Sequence, residues 1–88
     1  MDMINAIVLP WIYSVNRIIM KVLISERIKE LMQEQKLNQM RLAEKTGLNQ
    51  SAISNWLSGK KEPSITSLWL LADCFNTDVD YLIGRKDF

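Results

Sequence analysis

The 88 residues are 48% hydrophobic and 24% charged, which suits one globular domain with a modest core and argues against a disordered chain. With no His and a single Cys, the sequence lacks His general bases, Cys–His pairs, the usual zinc ligand sets and any internal disulfide. No enzyme activity, metal or cofactor is therefore expected, and a reducing cytoplasm is the simpler compartment.

Charge is uneven along the chain. The formal net charge is only +1. Residues 36–61 nevertheless carry Lys36, Arg41, Lys45, Lys60 and Lys61 against Glu44, a net of +4. Residues 62–88 carry five acids against Arg85 and Lys86, a net of −3. A polyanion is drawn to the middle of the chain and repelled by its end.

Residues 1–24 are apolar and nearly uncharged. Ile4, Val8, Trp11, Val15, Ile18 and Val22 recur at the spacing of a helical seam. Pro10 either interrupts that helix or occupies its first turn, and the β-branched content leaves a strand open. Asp2 in place of a basic start argues against a signal peptide. Asn5, Pro10, Asn16, Arg17 and Lys21 break the run below the about 20 apolar residues of a membrane span. The segment reads first as an interaction arm that docks on its own domain or on a second copy.

Residues 25–88 read as the domain proper. Ser25 is expected to cap a helix reaching about Gln35, with Ile28, Leu31 and Met32 on one face. Asn38 caps a second helix to about Thr46, with Leu42 and Ala43 inward, and Gly47 ends it. Asn49 caps a third from Gln50 to about Leu57, with Ile53 and Trp56 inward, stopped by Ser58-Gly59. After the Lys60–Pro63 loop, Ser64 caps a fourth helix to about Asn76, with Ile65, Leu68, Leu71, Ala72 and Phe75 on the core side. Trp69 and Leu70 add apolar faces there, which the arm or a partner subunit should cover. Asp78 opens a last short helix holding Val79, Tyr81 and Leu82, closed by Gly84. No segment alternates long enough to demand a strand, so five short helices make an all-α domain.

The informative spacing is Ala43, Gly47 and Ile53. A small residue sits where two helices cross, a glycine four positions later allows a sharp turn, and a buried Ile plugs the angle between them. That is the steric recipe for two helices joined steeply by a tight turn.

The run NQMRLAEKTGLNQSAISNWLSGKKEPS, followed by SLWLLADCFNTDVDYLIGR, resembles the Cro/phage-repressor class of helix-turn-helix regulators, the Xre family, over residues 25–85. The resemblance implies a compact five-helix lambda-repressor-like DNA-binding domain, here with an extra apolar arm. It implies that the third helix lies in the major groove. By position, Gln50, Ser51 and Asn55 are the base readers, with Ala52 near enough for apolar contact. Gln and Asn match adenine, Ser serves several bases, and Ala meets a thymine methyl. Gln39 is expected to bond phosphate from a helix N-terminus, with Asn38 mainly a cap. Lys60 and Lys61 should flank the backbone, while Arg41 and Lys45 either touch phosphate or are ordinary solvated positions. Cys74 reads as a small hydrophobe. The Arg–Glu pair frequent in the family is matched here by Met32 and Leu57, an apolar replacement of both members.

The function so implied is a transcriptional regulator, a repressor binding a two-fold operator on double-stranded DNA as a homodimer, without a small-molecule ligand and away from membranes. The rival reading is an antitoxin-like or membrane-associated interaction module with secondary DNA binding. For residues 1–19 the family pattern adds a second reading, a start-site extension, because Met20-Lys21 resembles a family beginning.

Overall fold

The computed structural model describes the backbone of residues 10–87 and the side chains of residues 19–87. Five helices follow in order: α1 Pro10–Glu34, α2 Gln39–Thr46, α3 Gln50–Leu57, α4 Ile65–Phe75 and α5 Val79–Leu82. No strand occurs among the described residues. α1 packs against α3 and α5, α2 against α3 and α4, and α4 against α5.

The first helix departs from expectation. α1 starts at Pro10 and runs through Ser25 without a break, so Ser25 is not its cap and the helix is long, at 25 residues. Ser25 is buried, and its hydroxyl donates to the Leu57 carbonyl at 2.7 Å. A serine inside a helix needs a partner for its hydroxyl when it is buried. The open carbonyl at the end of α3 supplies one. Ile24, one residue earlier, is itself core at 4% exposure, so the apolar segment and the first core helix share one continuous element. Most of the apolar seam, Ile4 through Ile18, lies outside the residues described in side-chain detail.

The other helix ends follow the sequence signals. The side-chain oxygens of Asn38, Asn49, Ser64 and Asp78 accept from the backbone N–H of Arg41, Ser51, Ser67 and Tyr81. Each satisfies a donor that the first turn of a helix leaves unpaired. A hydrogen bond from Lys86 and the Tyr81 amide hold the Asp78 carboxyl below its ordinary pKa. This cap therefore contributes at neutral pH and is lost as pH falls through that lowered value.

Ile28, Leu42, Ile53, Leu71 and Leu82 are the largest fully buried side chains, one from each helix. Around them close Leu31, Met32, Trp56, Ala72 and Phe75. Ile65 does not join them. It is 83% exposed, against the expectation that it faces the core. The buried stripe of α4 is Ser67, Leu71 and Phe75, spaced by four, and Ile65 lies instead on the side of Trp69, one turn along. Trp69 is 66% exposed, so residues 19–24 of the arm do not cover it.

α1 is fastened on two sides. Toward α5, Arg27 lies over the Tyr81 ring at 4.2 Å, and the Tyr81 hydroxyl donates to Glu30 at 2.8 Å. Leu23 rests on Gly84, whose φ is +86° and where an added Cβ would stand 2.7 Å from Leu23 Cδ1 and 3.3 Å from Leu23 Cβ. Gly47 has φ +75° with open space around it. An alanine at either position meets the left-handed backbone penalty, but only Gly84→Ala must also push a neighbour aside. In urea denaturation Gly84→Ala is expected to cost about 1 kcal/mol more than Gly47→Ala. Equal losses would mean that α1 does not lean on this turn.

Candidate nucleic-acid interface

The α2–α3 elbow sets the site. Gly47 donates its N–H to the Ala43 carbonyl and turns the chain out of α2 in the left-handed conformation. The Thr46 hydroxyl donates to Leu42 O and accepts from Leu48 N–H, which fixes the three-residue turn. Ile53, fully buried, fills the angle. The elbow leaves the opposite side of α3 outside.

On that outer side, Gln50, Ser51, Ser54 and Asn55 of α3 and Gln39 of α2 line one open polar cleft. All five are uncharged hydrogen-bonding side chains. Gln50, Ser51 and Ser54 are exposed, while Gln39 and Asn55 are half-buried. Such groups present donors and acceptors without a fixed charge, which suits recognition of a patterned polar edge.

The structure thus gathers Gln39, Gln50, Ser51 and Asn55. Ser54 joins them and was missed by the sequence reading. The signal was present, because Ser54 follows Gln50 by four and so shares its helix face. Ala52 does not line the cleft. It is half-buried and packed against the core. Asn38 stands at the edge, beside Gln39 in a neighbouring notch, with its side-chain oxygen committed to the Arg41 amide at 2.8 Å.

Lys60 and Lys61 are exposed beyond the end of α3. Their backbone N–H groups both bond to the Asn55 carbonyl, at 2.9 and 3.3 Å, and the Ser58 hydroxyl adds a third bond there. The basic loop is therefore tied to the same residue that lines the cleft. Arg41 lies outside the cleft and pairs with Glu44 at 3.9 Å, both exposed. Lys45 is also outside it, and its charge acts on Cys74. Burial nonetheless pushes that half-buried thiol up, as suits a small apolar side chain.

Met32 and Leu57, the two apolar residues at the expected ion-pair positions, line one notch with Leu37. No group of His, Cys, Asp or Glu among the described residues could hold a metal ion. Among those residues no helix is long and apolar enough to cross a membrane.

A family profile described as helix-turn-helix matches residues 28–82, from the last third of α1 to the end of α5. The chain belongs to the helix-turn-helix family. The helix-turn-helix unit proper is α2, the Gly47 turn and α3, and the Cro/phage-repressor resemblance holds. The chain is 32% identical over 62 residues to the uncharacterized HTH-type transcriptional regulator YobD of Bacillus subtilis (strain 168), across 70% of this chain and 55% of that protein. It is 33% identical over 61 residues to the HTH-type transcriptional regulator AnsR of the same organism, across 69% and 53%. It is 30% identical over 63 residues to the immunity repressor protein of Bacillus phage phi105, across 72% and 44%. The chain spans about half the length of the curated relatives it matches.

Proposed function

We propose that this helix-turn-helix domain binds double-stranded DNA in a sequence-specific way and regulates transcription, as a repressor acting on a two-fold operator. The observation that carries this reading is the outward polar cleft of α3 and Gln39. α3 enters the major groove, where Gln50 and Asn55 pair with adenine edges and Ser51 adds an adaptable contact, while Ala52, packed against the core, takes no part. Gln39, at the first turn of α2, bonds a phosphate with its helix N-terminus behind it. Asn38 adds its backbone there, its side chain serving as the cap. Lys60 and Lys61 hold the strand beyond α3. Arg41 and Lys45 do not line the cleft and act on the DNA backbone only at longer range. One relative, an immunity repressor, supports repression, while another is named as a transcriptional activator. Action on DNA places the protein in the cytoplasm.

A helix of eight residues is about 12 Å long and spans only a few base pairs. Two copies related by a two-fold axis read half-sites about 34 Å apart, which supports a homodimer on DNA. The exposed Ile65 and Trp69, one turn apart on α4, are apolar surface of the kind that a subunit contact covers.

Selection of bound sequences from a random duplex pool tests the reading. Recovery of a short motif repeated with two-fold symmetry is expected, and a pool with no enriched motif would overturn sequence-specific binding. Lys61→Ala should weaken binding to every duplex alike and lower the slope of log affinity against log salt by about one. A change in the selected motif with Lys61→Ala would show that it reads bases instead.

A further inference from the structure

The surface next to the polar cleft continues past α2 and α3 onto α1. Gln39 lines both the cleft and an adjoining notch, whose far wall is Lys29 and Gln33 of α1. Lys29 and Leu57 in turn line a groove between α1 and the end of α3, with Lys21, Glu26 and Gly59 along its sides. Shared lining residues thus link the three depressions, from the cleft along the outer face of α3 to the groove at its C-terminal end. Ser25 holds the groove's floor, since its bond to the Leu57 carbonyl pins α1 against α3 at this point. Gly59, which also lines the groove, is followed in sequence by the exposed Lys60 and Lys61.

The charges along this track favour a polyanion. Two lysines of α1 line it, eight residues apart and so about 12 Å along the helix axis. Among the described residues Glu26 is the only acid lining the groove and notch, and it lies 3.6 Å from Lys29 in an exposed i,i+3 pair. Such pairs are weak and readily exchanged for a stronger anion. Toward α5 the other side of α1 is occupied, with Arg27 over Tyr81 and Leu23 against Gly84. Lys21 and Lys29 are left on the side that adjoins the recognition helix.

We infer that Lys29 and Lys21 form a second phosphate-binding edge, along which the DNA backbone beside α3 runs from Gln39 over the Met32–Leu57 notch onto α1. The inference rests on the DNA-binding reading above. It assigns to α1 a contact that the sequence placed only on α2, α3 and the loop that follows. Met32 and Leu57 are apolar and offer this strand no charge, and Lys29 lines the same notch. When phosphate arrives, Lys29 gives up Glu26 for it.

The test compares Lys29→Ala, Lys21→Ala and Glu26→Gln with Arg85→Ala, a loss of one exposed cation in the tail that follows Gly84 on the α5 side. Binding of the full chain to its selected duplex is measured across a salt series, with circular dichroism to confirm equal helix content. Lys29→Ala and Lys21→Ala are each expected to lower affinity several-fold and reduce the salt slope by about one, with the preferred sequence unchanged. Glu26→Gln should raise affinity, an effect opposite in sign that loss of structure cannot mimic. Lysine variants that match Arg85→Ala while Lys61→Ala still lowers the slope would overturn the α1 edge and leave DNA binding standing. An unmodified chain that binds no duplex would overturn both.

Discussion

Ile53→Ala is expected to lower the stability of the domain by about 2–5 kcal/mol, the range for removing a buried aliphatic side chain down to Cβ. Ile53 has 0% exposure and lies between α2 and α3, where the Gly47 turn leaves an angle that only a side chain fills. A domain of this size has about 5–10 kcal/mol in total, so the loss removes a large share of it. Part of the cost is the cavity, because the elbow is held by caps at Asn38 and Asn49 and cannot close freely. Ile53→Val removes one methylene and should cost about 0.5–1.5 kcal/mol. Urea denaturation followed by circular dichroism measures both. A loss below 1 kcal/mol for Ile53→Ala would mean that the elbow repacks and that its angle is not set by this residue. DNA affinity should fall with the unfolded fraction, while the preferred sequence stays the same.

The second large effect separates folding from reading. Gln50→Ala is expected to leave stability within about 0.5 kcal/mol, since Gln50 is exposed on the first turn of α3. Its specific-site affinity should drop by about 1–3 kcal/mol, and discrimination at one base pair per half-site should relax. The neighbouring Asn49 behaves differently, because its side-chain oxygen is already bonded to the Ser51 amide at 2.7 Å and serves the helix. Two adjacent amides thus have separate tasks, one closing the helix and one facing outward. Binding titrations against the selected duplex and against single-base variants measure the effect. Unchanged discrimination with Gln50→Ala would place the reading surface elsewhere than the start of α3.

Most of the helical frame was legible because local chemistry dictates it. Asn38, Asn49, Ser64 and Asp78 cap helices in the structure as their side-chain oxygens suggested, and Gly47 ends α2 in the left-handed conformation. Ser25 carries the same chemical signature and is no cap. Its hydroxyl found a carbonyl 32 positions away, and no local rule contains that partner. Ile65 misled for a related reason. Its spacing to Leu68 and Ala72 fits a helical face, but a face has a width, and only contact with the rest of the core shows where it ends. The cleft was half legible: the family resemblance pointed to Gln50, Ser51 and Asn55 by position, whereas their meeting with Gln39 depends on the elbow angle.

By itself the sequence determined five helices among the described residues, the caps of the last four and the sharp bend between α2 and α3, because each depends on a few adjacent residues and the short-range geometry of the backbone. Tertiary structure decided what long-range packing alone can decide. It ran α1 unbroken from Pro10, turned Ser25 toward Leu57, left Ile65 and Trp69 outside, and brought Lys21 and Lys29 beside the recognition helix. Those outcomes depend on which surfaces meet across the fold, and a chain of helices with the same local signals could have met in other ways.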